Sequence, residues 1–143
     1  MNIGKGMMQM GKIRPLGRKY EISKHRFWSA YHFAMQYKEW KNELNHLTDT
    51  MKSKQITDMP MGTGTGDATG DLAIRRAMLS RKCDLIEEAC KEAGEDIWKY
   101  ILEGVTNEGA SYTYLRQVMN IPCGKNYYYE KRRKFYYLLA NRM

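Results

Sequence analysis

The sequence is short of proline, cysteine, histidine and long apolar runs, and each shortage removes a class of protein. No run of about 18 apolar residues occurs, so a conventional membrane-spanning helix is excluded and no membrane partner is expected. The opening "MNIGKGMMQMGKIRPLGRKY" lacks the apolar core of roughly 7–15 residues that a secretory signal needs, which predicts a cytoplasmic protein. The three cysteines, Cys83, Cys90 and Cys123, show no CxxC spacing, and an odd count cannot close a disulfide framework. They read as buried or idle thiols. The three histidines, His25, His32 and His46, are too scattered for a His/Cys metal cluster. Glu87 and Glu88 are adjacent, so on a helix they diverge and cannot work as a carboxylate pair. No Ser-His-Asp or Cys-His arrangement is found, and no enzyme activity, metal or cofactor is expected. Period-two alternation is missing beyond a few residues, which leaves an all-α fold.

What the chain does have is positive charge at its two ends. Over 143 residues the formal charge is +8. Residues 1–26 carry seven Lys and Arg against Glu21, and residues 111–143 carry seven against Glu130, so each end is +6. The body between them, with ten basic and fourteen acidic residues, is −4. Basic ends on a mildly acidic body suit a polyanion held by the ends, nucleic acid before a membrane surface, although solubility alone also accounts for a charge of this size.

The length suits one domain with a real core. Residues 1–20, rich in Gly, Met and Lys and holding Pro15, read as a basic mobile arm. A helical platform follows over 21–93. Ser23 is a candidate cap, and Phe33, Tyr37, Trp40, Leu44, Leu47 and Met51 recur at spacings of three and four on one stripe, in one helix to about Met51 or in two with a bend near Lys38. The stretch 56–70, with Pro60 and four glycines in "MPMGTGTGDATG", reads as a loop or hinge. It is not a Walker loop, because Gly66 precedes Asp67, whose carboxylate would repel a phosphate where that pattern needs lysine. Asp67 or Thr69 is then expected to cap a helix with Leu72, Leu79, Cys83, Ile86, Cys90 and Ala93 on one face and Ile74, Met78 and Leu85 on a second. Two apolar stripes predict packing on both sides, within a bundle or between subunits. Gly94 ends the helix.

Residues 94–143 carry the chemistry. A short helix over about 96–104, with Ile97, Trp98, Ile101 and Leu102 as its apolar side, is followed by "SYTYLRQVM", the turn "NIPCG" and the closing "KNYYYEKRRKFYYLLANRM". Three helices, the last two joined by a tight turn with Pro122 and Gly124, match a helix-turn-helix. At about 100° per residue, Tyr128, Phe135, Leu138, Leu139 and the stem of Arg132 face inward. Asn126, Tyr129, Arg133 and Tyr137 face outward, with Lys125, Arg132 and Lys134 flanking them and Arg116 in the preceding helix. Arg bidentate to guanine, Asn to adenine and Lys to phosphate are the pairings that major-groove reading uses. A solvated basic face is the plainer reading of "EKRRK" alone; the turn before it favours contact with double-stranded DNA.

These segments also carry a resemblance. "MPMGTGTGDATGDLAIRRAML" together with "EDIWKYILEGVTNEGASYTYLRQVMNIPCGKNYYYEKRRKFYYLL" resembles the RinA/ArpU-type regulators of phages and prophages of Gram-positive bacteria, over about residues 37–140. Ala68 stands where related sequences tend to have proline after the loop aspartate. The resemblance implies a transcriptional activator of late phage genes in a bacterial host cell, with a carboxy-terminal helix-turn-helix similar to region four of sigma factors. On this reading the protein binds DNA as a homo-oligomer and could also touch host RNA polymerase. A terminase small subunit shares this layout and would be marked by ring assembly. An inhibitor of a host defence or polymerase complex would bind that complex and show no preference among DNA sequences.

Overall fold

The computed structural model describes residues 20–57 and 66–143, with side chains over 20–50 and 70–143. Among these residues every regular element is helical and there is no strand. Helices α1 (Lys24–Met35) and α2 (Tyr37–Thr57) are followed by α3 (Gly66–Ala93), a 3-10 turn (Glu95–Ile97), α4 (Trp98–Thr106), α5 (Tyr112–Gln117) and α6 (Lys125–Arg142). None of the described helices is long and apolar enough to cross a membrane. The arm expected over 1–20 lies outside the described residues except for Tyr20, and so does the 58–65 part of the Gly-rich loop.

Ser23 caps α1 as expected, its hydroxyl accepting from the Arg26 amide at 3.2 Å. The stripe from Phe33 to Leu47 runs across two helices. The break falls at Gln36, where the amide turns back to the Phe33 carbonyl at 3.3 Å and the carbonyl accepts from Trp40 to restart the ladder. Tyr37, Trp40 and Leu47 are buried, Phe33 and Leu44 partly so. Two expected boundaries shift. Helix α2 continues to Thr57 and α3 begins at Gly66, so Asp67 and Thr69 lie inside the first turn and do not cap it.

Helices α2 and α3 pair antiparallel. Arg76 donates to Thr48 at 3.2 Å, Lys82 lies 4.9 Å from the Trp40 ring, and the Tyr37 hydroxyl donates to Glu87 at 2.5 Å. The first expected face of α3 is the core: Leu79, Cys83, Ile86, Cys90 and Ala93 are buried, with Leu72 partly so. Each large apolar side chain removed from water here contributes about 1.5–3 kcal/mol before entropy is counted. Of the second face, Leu85 is partly buried against the core, but the other two members are not covered. Ile74 and Met78 remain 60% and 57% exposed.

After Gly94 the chain folds back over the carboxy-terminal half of α3. Ile97, Ile101 and Val105 enter the core, while Trp98 is partly buried, with the Lys91 ammonium 4.8 Å from its ring. Helix α4 approaches α6 closely because Gly104 has no Cβ; one placed there would overlap the Tyr128 hydroxyl. Ser111 caps α5 by accepting from the Tyr114 amide at 3.2 Å. Past α5, Asn120 takes a left-handed conformation (φ 57°), which asparagine tolerates better than most residues. That turn sends buried Ile121 back to donate to the Leu115 carbonyl at 3.0 Å. The Tyr112 hydroxyl holds the turn from outside, donating to the Cys123 carbonyl at 2.7 Å.

Helix α6 is the keystone of the packing, seated on α3, α1 and α4. Tyr128, Phe135 and Leu139 are buried as their helical phase requires, and Leu138 is only partly covered. Tyr136, which the inward arc omitted, is 1% exposed and packs against Phe27 of α1 at 4.9 Å between ring centroids.

Candidate nucleic-acid interface

The residues proposed from sequence to meet DNA occupy three environments. Asn126, Lys125 and Arg116 are exposed, the first two in the opening turn of α6 and the third in the last turn of α5. Arg133, Lys134, Tyr129 and Tyr137 are partly buried. Arg132 is partly buried too, but its Nε is shut off from solvent.

The outward face is therefore narrower than the helical wheel suggests. Asn126, Arg133 and Tyr137, spaced seven and four apart on α6, share its outer side. Tyr137 is braced by Tyr20 at 5.5 Å. Tyr129 turns to the edge of the core, its ring 5.0 Å from Tyr128 and 5.8 Å from the Arg132 guanidinium. Lys134 lies on another side and lines a shallow groove of about 480 Å³ with Lys131, Lys91, Glu92, Glu95 and Asp96. That groove carries three lysines and three carboxylates.

Arg132 corrects the expected flank. Its guanidinium is seated between the rings of Tyr129 and Tyr136, at 5.8 and 5.6 Å, where the negative faces of the rings answer its charge. No carboxylate pairs with it among the described residues. The Tyr136 hydroxyl lies beside it, yet neither that hydroxyl nor Arg132 Nε makes a well-formed hydrogen bond among the described residues. Burial raises the Tyr136 and Tyr128 phenols above the ordinary tyrosine value, and the Arg132 charge partly opposes this. Arg132 thus belongs to the internal wall of α6. The reason is phase: it lies one turn from Tyr128 and Tyr136, and its long stem carries the charge inward.

Four cations are ion-paired among the described residues. Ion pairs join Lys38 to Glu103, Lys41 to Glu87, Arg75 to Glu43 and Arg142 to Glu92. Arg116, Lys125, Arg133 and Lys134 have no such partner among the described residues. The amino end of α6 is also open, since a Cβ on Gly124 would meet nothing within 4 Å. Its first amides and helix dipole point into that space, a favourable place for an anion.

The other groups weighed for chemistry are spoken for. Burial raises the Cys83 and Cys90 thiols above the usual cysteine value, which keeps them protonated and poorly nucleophilic. Glu87 turns inward to accept from Tyr37 while Glu88 is exposed, so the two diverge. His32 stacks on Trp28 at 5.9 Å, and His25 and His46 are exposed. No family model, curated protein or solved structure matches the chain.

Proposed function

We propose that the protein is a sequence-specific DNA-binding regulator of phage or prophage transcription, with α5, the Asn120–Gly124 turn and α6 acting as a helix-turn-helix. The observation that carries this reading is the open amino end of α6, with Lys125 in its first turn, together with Arg116 on α5 and Arg133 farther along the outer side of α6, each without an ion-pair partner among the described residues. Cations without a carboxylate partner leave a positive field that attracts a polyanion. In the proposed complex Asn126 and Arg133 approach base edges in the major groove. Arg116, Lys125 and the amino end of α6 meet the phosphates beside them, with Lys134 on the far strand. Arg132 takes no part in phosphate contact and supports the helix from within.

Measuring affinity for a selected duplex against salt concentration tests the proposal. With about three to five phosphates neutralised per subunit, log affinity should fall against log salt with a slope of about −3 to −4.5, and Lys134→Ala should reduce the slope by about one. A slope near zero, or no binding at low salt, would assign the basic end to a protein partner instead.

A further inference from the structure

The strongest unexplained surface lies on α3. On α3, Ile74 and Met78 stand one turn apart and 60% and 57% exposed, beside a groove of about 280 Å³ that Trp40 and Leu79 help to floor. Asp71 and Lys82 close the two ends of this stretch and line the same groove. Both charges lack an ion-pair partner among the described residues, whereas Arg75 and Glu43 between them are paired. An exposed apolar patch with charged ends is the kind of surface that marks an interface.

The order of these residues indicates the occupant. Along α3 the face reads acid, apolar, apolar, base: Asp71, Ile74, Met78, Lys82, at intervals of three, four and four. Read in the opposite direction the order is base, apolar, apolar, acid, the complement of itself. We propose that a second copy of the chain packs here, α3 against α3, antiparallel about a two-fold axis between Ile74 and Met78. Asp71 then meets Lys82 of the second copy, Ile74 meets Met78, and the same contacts recur across the axis, as an isologous interface requires. This pairing does not depend on the DNA reading. It also accounts for Ile74 and Met78 of the second apolar stripe of α3, which stay exposed within one chain while Leu85 packs on the core.

Sedimentation equilibrium of the full chain at low salt, over a micromolar to sub-millimolar range, tests the proposal. The native protein should dimerise. Asp71→Lys, which places lysine opposite lysine twice, should weaken the dimer at least about tenfold, and Lys82→Asp should do the same with two acidic pairs. The double variant Asp71→Lys/Lys82→Asp should restore native affinity, because it exchanges the two signs without changing their pairing. Met78→Lys should yield monomer. Asp71 and Met78 are exposed, so these variants keep the fold, which circular dichroism checks, and either decides the matter if Lys82→Asp loses its place over Trp40. A native chain that stays monomeric throughout would overturn the proposal and give the face to another protein or to residues 1–19 of this chain. A dimer that ignores the single reversals, or that the double variant fails to restore, would overturn it equally.

Discussion

The α2–α3 pair and helix α6 use the same residue types to opposite ends. Along the pair, charge is answered locally: Arg75 by Glu43, Lys41 and Tyr37 by Glu87. On α6 it is not. One arginine, Arg132, is drawn inside and held by tyrosine rings, while its neighbour Arg133 keeps to the outer side without an acidic partner among the described residues. Local pairing cancels a field at short range and contributes little stability at an exposed surface. Leaving cations unpaired preserves a field that acts over about a Debye length. Adjacent arginines can thus belong to different physical systems, and their helical phase decides which.

The comparison is broken most forcefully in the core that both regions share. Ile86 is fully buried on α3, and Ile86→Ala should destabilise the protein by about 2–5 kcal/mol, measured by denaturant unfolding. If α2–α3 unfolds while α6 stays ordered, the two regions do not share a core. Next comes the arginine pair. Arg133→Ala should weaken binding to a selected duplex by about 1–3 kcal/mol and leave binding to random DNA and the melting temperature nearly unchanged. Arg132→Ala should do the reverse, lowering stability by about 1–2 kcal/mol through lost packing and ring contact while the salt slope stays as it was. Exchanged phenotypes would show that α6 is rotated about its axis.

The smallest effect is alkaline. Burial raises the phenols of Tyr37, Tyr128 and Tyr136, and a hydrogen bond to Glu87 adds to the rise at Tyr37. Each raised group favours its neutral form in the folded state. The associated stability is therefore whole below the ordinary tyrosine pKa of about 10 and is lost as pH climbs toward the folded values. Melting temperature should decline from about pH 10 upward, and Tyr37→Phe should make the decline shallower. An unchanged melting temperature through that range would mean that these hydroxyls ionise as freely folded as unfolded.

Much of the fold was legible because helical period is a strong signal. The α3 stripe from Leu79 to Ala93, the cap at Ser23 and the stop at Gly94 all appear where spacing and residue type place them. What escaped was set by distant partners. Tyr136 reads as neither inward nor outward on α6 alone; it is buried because α1 lays Phe27 and Tyr31 against it, at 4.9 and 6.3 Å. Arg132 reads as a flanking cation until the rings on either side of it are known. The start of α3 was misjudged because glycines suggest a loop, while the helix begins among them at Gly66. For the candidate site, the outward positions of Asn126 and Arg133 follow from period alone, but the absence of ion-pair partners among the described residues is visible only in three dimensions.

The join between α1 and α6 has a kinetic consequence. The Arg26 guanidinium donates to the Ala140 carbonyl at 3.1 Å and to Asn141 Oδ1 at 2.5 Å, spanning 114 residues of sequence in the first case. Most other contacts in a helical protein close short loops and form early, whereas this one must wait until the intervening chain has been gathered. The seam is thereby expected to zip last on folding and to part first under load. The helix proposed to read DNA would then gain its final support at the end of the folding reaction, and tension on α6 would be felt first at Arg26.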